Sequence, residues 1–381
     1  MVFDDYDFEF LRLCGLCRYL PVGLQRRYDA PFFSRGVIST LKDRGFVKVQ
    51  SDKLSYKLTY EGRKSLADMG YTFPDDIRMD LNRPAYKRKL KNALWNIALY
   101  LAGINVFYAK TGELADTEVG YVSSLTLRSD NSIRVLAGTR FLGILKIRDT
   151  AYIPYYLESE AEWIVPGYER EIYQSQIETI QNIKKIKFIL TGDSLEELWE
   201  YLHPQTPSEK LPRGMKRFDV ALEELGCEYL LIPYNKDGVI QLGFLKSSRN
   251  RKRLANAMGC STIEIPHLSE CDGMLDNTPY VIAIDFDVKR IVRALKQIER
   301  IDKKMVPKIC CLPFQKKTTL KLLRLYSCQN CVVVTIDRNN IYDVFPEFQK
   351  DIVNKNPYMT KEGKYIDANN RKFKKSGAEE W

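Results

Sequence analysis

The chain has 381 residues, a hydrophobic content of 45% and a formal net charge of +10 at pH 7. This length exceeds what one hydrophobic core usually serves, so two or three globular domains are expected. The excess of basic over acidic residues favours a polyanionic partner. We expect a cytoplasmic protein without a membrane partner, because no apolar run reaches about 18 residues and the N-terminus is acidic, unlike a secretory leader.

The segment from Phe33 to Tyr71 has the element order of the DNA-reading half of a winged helix. Ser34 can cap a helix that Gly45 ends, and two short runs of alternating apolar and polar residues then predict a β-hairpin with Lys53 at its tip. Thr59 can start a closing helix. Two helices are predicted before this segment, at Phe8–Tyr19 and Pro21–Tyr28.

Side chains suited to duplex DNA follow the outward face of the helix after Ser34. Arg35, Ser39 and Lys42 recur at i, i+4 and i+7, so they form one stripe that can lie in a major groove. The alternative is that these charges only solvate a small helical domain. The residues predicted to contact DNA in this region are Arg35, Ser39, Thr40, Lys42, Arg44, Lys48 and Lys53.

Two further basic segments could extend this surface. A helix is predicted from Pro84 to Ala102, and its basic first half opposes the helix dipole, which suggests compensation from outside. Lys246–Arg253 is the densest basic cluster of the chain. Each segment could instead be an ordinary solvated helix start. The residues concerned are Lys87, Arg88, Lys89, Arg249, Arg251, Lys252 and Arg253.

The remainder of the chain predicts mixed α/β structure. Strands are expected between Val119 and Tyr156, then a helix at Glu169–Lys185, a buried strand at Lys187–Thr191, and two strands at Glu228–Pro233 and Val239–Leu245. From Tyr280 to Ile336 strands and helices alternate, which favours a partly parallel sheet. We therefore expect four regions: a winged helix at residues 1–73, a basic helix with a mixed α/β domain at 74–204, a C-terminal α/β domain at 205–353, and a flexible basic tail at 354–381.

One group of carboxylates has the spacing of a metal-dependent nuclease site. Restriction-type nucleases place one acid before a strand and an acid-x-Lys sequence on it, because the carboxylates hold Mg²⁺ and the lysine helps to activate water. Asp287-Val-Lys289 has this spacing, and Asp272 precedes the strand. The alternative is a polar strand end that caps the next helix. Asp272, Asp287 and Lys289 are thus the candidate catalytic residues, with Mg²⁺ as the sole cofactor considered.

The sequence contains few of the residues and motifs that other kinds of catalytic or metal site require. The chain has two histidines and no glycine-rich phosphate-binding sequence of the Walker or Rossmann type. Two Cys-x-x-Cys pairs, Cys14/Cys17 and Cys328/Cys331, could in principle share a zinc ion. Each pair adjoins apolar residues typical of a helix or strand, so we expect no metal site.

Together, the winged helix at residues 8–70, the basic helix at 84–102 and Ile284-Asp-Phe-Asp287 before a long helix resemble the replication-relaxation family of plasmid and conjugative-element proteins. The resemblance implies a winged-helix DNA-binding domain joined to a restriction-endonuclease-like α/β domain, often without a full catalytic set, that acts at replication or transfer origins. In this chain Asp285 stands where a glutamate is usual in that family.

The expected function is therefore double-stranded DNA binding in the replication or transfer of a mobile element, with other proteins of such a complex as further partners. An enzyme is not the favoured interpretation. The two alternatives are a Mg²⁺-dependent DNA nuclease and a protein-interaction scaffold.

Overall fold

The computed structural model describes residues 5–73, 81, 84–127, 139–158, 163–203, 216–225, 228–262, 268–328 and 330–348. Its helices are α1 Asp5–Cys17, α2 Leu24–Tyr28, α3 Arg35–Asp43, α4 Tyr60–Asp68, α5 Pro84–Leu101, α6 Ser124–Leu127, α7 Pro166–Ile177, α8 Leu195–Leu202, α9 Phe218–Leu225, α10 Lys236–Leu245, α11 Arg249–Ala257, α12 Val288–Ile301, α13 Lys316–Leu325 and α14 Arg338–Val344. Its strands are β1 Leu20–Pro21, β2 Val47–Val49, β3 Ser55–Leu58, β4 Val119–Ser123, β5 Gly143–Ile147, β6 Thr150–Tyr156, β7 Trp163–Ile164, β8 Lys185–Thr191, β9 Lys216–Arg217, β10 Glu228–Leu231, β11 Gly273–Leu275, β12 Thr278–Ile282, β13 Lys308–Cys311 and β14 Val332–Thr335. The predicted flexible tail at 354–381 lies outside the described residues, as do residues 74–80 and 204–215.

The N-terminal helices α1 to α4 surround a three-stranded antiparallel sheet of order β1-β3-β2. The predicted caps are confirmed. The Ser34 hydroxyl accepts a hydrogen bond from the Val37 amide at 3.4 Å, and Thr59 accepts one from the Gly62 amide at 3.1 Å. Gly45 takes the left-handed backbone conformation that ends α3, with φ of 74°.

The helix predicted to begin at Pro21 starts later. Pro21 lies in β1, opposite Ser55 of β3, and α2 begins at Leu24 after the left-handed Gly23. Proline is compatible with an edge strand because it needs no donor there. A strand of two residues is too short to show a periodicity in the sequence.

The central sheet has five strands in the order β10-β8-β6-β5-β4. Strands β4, β5 and β6 form an antiparallel meander, whereas β6, β8 and β10 are parallel to one another. Strand β10 lies beyond residue 205, so this sheet draws strands from both sides of the domain boundary predicted there. Helix α5 packs along it and supplies the buried Trp95.

The C-terminal sheet has the order β11-β12-β13-β14, with one antiparallel hairpin followed by parallel strands. The predicted partly parallel sheet is confirmed. In each sheet a hairpin is followed by two parallel strands that are reached through helices, and the last strand is followed by a capped helix: α10 capped by Asn235 in the central region and α14 capped by Asp337 in the C-terminal one. The central region differs in having the additional elements β7, β9 and α9.

The strand predicted at Val239–Leu245 is wrong, because these residues form most of α10. Asn235 caps this helix by accepting hydrogen bonds from the amides of Asp237 and Gly238. Residues on nearly every side of α10 are buried, Gln241 among them. A helix buried all round shows no apolar stripe, so periodicity could not separate it from a buried strand.

The N-terminal helices share one hydrophobic core with α5 and the central sheet. Phe8 and Leu41 belong to the same buried cluster as Trp95 and Tyr121. Arg12 is fully buried at this junction, with its guanidinium 4.0 Å from the centre of the Phe107 ring. No helix in the described ranges is both long and apolar enough to cross a membrane.

Candidate nucleic-acid interface and the buried ion network

Helix α3 has one buried face and one exposed face. Leu41 is fully buried, and Val37 and Ile38 pack against the same core. The predicted duplex-facing residues of this helix lie on the opposite, exposed face: Arg35, Ser39, Thr40 and Lys42. The hairpin beside α3 exposes Lys48 and carries Lys53 at its tip, where φ is 58°. The structure thus brings the two predicted contact elements onto solvent-accessible surface.

Arg44 is anchored to the rest of the protein by an ion pair and by a ring contact. Its guanidinium lies 3.2 Å from the Asp7 carboxylate and 5.0 Å from the centre of the Phe46 ring. Arg44 therefore ties the end of α3 to α1. On the same exposed face, the Ser39 hydroxyl donates to the Asp43 carboxylate at 3.3 Å.

The basic start of α5 adjoins the hairpin. The hydroxyls of Tyr86 and Ser55 lie 2.8 Å apart, which docks this helix on β3. The ammonium groups of Lys57 and Lys89 both lie over the Tyr19 ring, at 5.1 and 5.5 Å from its centre. The predicted contacts Lys87 and Arg88 lie between Tyr86 and Lys89 in the same turn of α5, and both are exposed.

The strand register places Lys57, which was not among the predicted DNA contacts, beside Lys48 on the hairpin. Lys48 and Lys57 are directly opposite each other in the β2–β3 pair. Like charges at such positions destabilise a sheet unless an anion is near. The alternation of β3 could have revealed Lys57, but its pairing with Lys48 depends on the turn length.

The basic cluster at α11 is divided by the fold. Arg253 lies 2.7 Å from Glu347, with its guanidinium over the Phe345 ring, and the Arg251 Nε is 3.8 Å from Asp285. Arg249 and Lys252 are exposed. Part of this charge therefore packs against neighbouring elements of the C-terminal region.

Two of the three candidate catalytic residues, Asp287 and Lys289, lie at the start of α12. Asp287 caps this helix, with Oδ1 accepting from the Arg290 amide at 3.1 Å and Oδ2 lying 2.6 Å from the Lys187 ammonium. Lys289 is in the first helical turn. The expectation of an acid-x-Lys sequence on a strand is therefore wrong, and the helix-capping alternative is confirmed.

The other two aspartates converge on one buried guanidinium. Arg290 lies 3.2 Å from Asp272 and 3.5 Å from Asp285, and it also donates to the Ile282 carbonyl. All three side chains are nearly inaccessible to solvent. Burial alone would raise the pKa of Asp285, but Arg290, Arg251 and Lys187 outweigh it and hold that pKa below its usual value. Arg290 thus occupies the position between Asp272 and Asp285 that a metal ion would need.

Cysteine and carboxylate groupings give no metal centre within the described ranges. No group of three or more His, Cys, Asp or Glu side chains there could hold a metal ion. Cys14 and Cys17 lie in the N-terminal core, and burial raises the pKa of the Cys17 thiol to about 12. Cys328 and Cys331 pack against a different hydrophobic cluster.

Comparison with protein-family models, with curated proteins and with solved structures gives no match.

Proposed function

We propose that the chain binds double-stranded DNA through a winged helix formed by residues 5–73. One observation carries the proposal: α3 buries Leu41 while Arg35 and Lys42 are exposed on its other face, beside a hairpin that presents Lys48 and Lys53. A helix of this kind can enter a major groove, and basic side chains on an adjacent hairpin can neutralise phosphates.

The start of α5 supports the same proposal. Lys57 and Lys89 lie on one aromatic ring at the hairpin, and Lys87 and Arg88 are exposed beside them. A DNA backbone running past the hairpin would meet these charges next. This arrangement favours a footprint that extends from α3 across the hairpin to α5.

For the α/β part we propose a non-catalytic, restriction-endonuclease-like role in DNA docking or partner assembly, as in a replication-relaxation protein of a mobile element. The carboxylates that a nuclease would need are already neutralised by Arg290 and Lys187. Strands β5 and β6 of the central sheet contain no acidic residue. Both features favour binding over hydrolysis.

A fluorescence-anisotropy titration with random-sequence duplex DNA tests the proposal. The variant Arg35→Ala/Lys42→Ala removes two charges from the exposed face of α3. We expect weaker binding and a salt dependence whose logarithmic slope is smaller by about 1 to 2. The matched control is Lys296→Ala/Lys303→Ala, which removes two exposed charges at the C-terminal half of the chain.

Unchanged affinity in the α3 variant would overturn the assignment of the binding face. A wild-type protein with no affinity for DNA at moderate salt would instead favour the scaffold alternative. Selection of bound fragments from random DNA would then identify the sequence preference.

A further inference from the structure

Three of the four outer strands of the two large sheets have backbone of the same chain along their outer side. The backbone of Asn105 lies against β4, that of Phe286 against β10, and that of Ser261 against β11. The hydrogen bonds that join them are 2.9, 3.4 and 2.7 Å long. Covering of this kind prevents an outer strand from pairing with another chain.

Strand β14 is the fourth outer strand, and among the described residues its outer side is open. The amides of Val332 and Ile336 donate hydrogen bonds towards β13. Because alternate residues of a strand turn their backbone groups to opposite sides, Val333 and Thr335 turn theirs outward. No hydrogen bond from the described part of the chain reaches these outward groups.

The side chains of β14 are less buried than those of the neighbouring strands. Val332 is 49% exposed, and Val333 and Val334 are half-buried, whereas the middle residues of β12 and β13 are buried. The four residues of β14 include no charge and no proline that would discourage pairing. Helix α13 packs on β14 and exposes Leu320. This edge therefore suits the addition of a further strand.

We propose that the edge of β14 pairs with the same edge of a second copy of the chain, antiparallel and about a two-fold axis at Val334. An edge that pairs with itself about such an axis closes a dimer and leaves no further strand to add. In this register Val333 of each copy lies opposite Thr335 of the other, so their outward amides and carbonyls satisfy one another. The two four-stranded sheets then form one continuous sheet.

The match between edge and occupant favours a second copy. A partner strand has to offer unpaired backbone groups at alternate residues together with apolar side chains, and β14 itself offers both. The chain after Phe348 is a poorer match, because residues 349–381 contain no run of more than two apolar residues. The inference does not depend on the DNA proposal. Dimerisation would nevertheless place two α3 helices in one particle, as in proteins that read two half-sites.

Sedimentation-equilibrium ultracentrifugation of the full-length protein tests the inference. We expect a mass that rises with concentration to that of two chains. Val333→Pro removes an outward amide without breaking a hydrogen bond to β13, and it should weaken association about tenfold or more. Val332→Lys should also weaken it, by placing a charge at the joint. The matched control is Val220→Lys, which changes a valine of similar exposure, 45%, on α9 and should dimerise like the wild type.

A cysteine at the proposed axis tests the register. In a non-hydrogen-bonded antiparallel pair the two Cα atoms lie about 4.5 Å apart, which a disulfide can span. Val334→Cys should therefore give a covalent dimer on oxidation, and the wild type should not. A dimer that Val334→Cys fails to cross-link would overturn the placement of the axis.

Two outcomes would overturn the proposed dimer as a whole. One is a wild-type protein that stays monomeric at about 100 μM, and the other is unchanged association in both Val333→Pro and Val332→Lys. Val332 is exposed, so the lysine variant should fold even if the proline variant does not. Either outcome would leave the DNA proposal untouched, because DNA affinity is measured separately.

Discussion

The Lys187 ammonium lies 2.6 Å from the Asp287 carboxylate, and this contact joins the central sheet to the C-terminal one. Lys187 belongs to β8, whereas Asp287 caps α12. The side chains are 16% and 4% exposed, so water screens the pair weakly. One capping carboxylate therefore serves two elements at once.

Replacing Lys187 with methionine should destabilise the protein by about 2 to 4 kcal/mol, because Asp287 and Glu228 lose a buried cationic partner. Urea denaturation measures the change. The control is Lys184→Met, since Lys184 is 76% exposed and lies 3.8 Å from Asp149, and its loss should cost less than about 0.5 kcal/mol. Equal effects of the two substitutions would contradict the structural role of Lys187.

Acid should weaken the same junction. The Glu228 carboxylate is partly buried, which opposes ionisation, but Lys187 and Arg293 lower its pKa from 4.5 to about 2. A carboxyl group whose pKa is depressed by folding stabilises the native state above its unfolded pKa, and this contribution is lost as the pH falls towards the folded value.

We therefore expect the free energy of unfolding to fall between about pH 4.5 and 2. Glu228→Gln should be less stable near neutral pH, by on the order of 1 to 2 kcal/mol after allowance for solvent screening. Its stability should also decline less over that acid range. Parallel pH profiles for the wild type and the variant would show that Glu228 contributes nothing there.

Two glycines near the proposed DNA surface should respond in opposite directions to alanine. A Cβ at Gly62 would overlap the Phe46 carbonyl oxygen, where α4 crosses the hairpin, whereas a Cβ at Gly36 would have no heavy atom within 4 Å. Gly62→Ala should destabilise by about 1 to 3 kcal/mol. Gly36→Ala should stabilise α3 by about 0.5 kcal/mol, because alanine is the better helix former.

Thermal unfolding followed by circular dichroism measures both glycine variants. A stable Gly62→Ala protein would mean that α4 and the hairpin lie farther apart than described.

The nuclease alternative predicts cleavage that depends on Asp287. The geometry instead predicts that supercoiled DNA stays intact with the purified wild-type protein in Mg²⁺ or Mn²⁺, because Arg290 and Lys187 already neutralise the aspartates. Asp287→Ala should lower stability by about 1 kcal/mol or more through loss of the helix cap. Metal-dependent nicking that disappears in Asp287→Ala would restore the nuclease interpretation.

Local signals predicted the N-terminal elements well, because caps and turns act over a few residues. Ser34, Gly45 and Thr59 have the roles that their positions predict. The exposed stripe on α3 could also be predicted from the sequence, because side chains on one face of a helix recur every three to four residues.

Tertiary packing decided the features that were missed. Arg253 contacts residues 344–347, and Arg251 contacts Asp285. These partners are distant in the sequence, so no spacing rule could show that the basic cluster is divided. Arg290 is separated from Asp272 by 18 positions and meets it through the β11–β12 hairpin.

The shared core of α1 and α5 fixes the direction in which a bound duplex would leave the protein. Because the N-terminal helices cannot swivel independently of the central sheet, DNA seated on α3 would pass the α5 side at one set angle. Nuclease protection should then be lopsided, reaching farther along the helix axis on one flank of the recognised site than on the other.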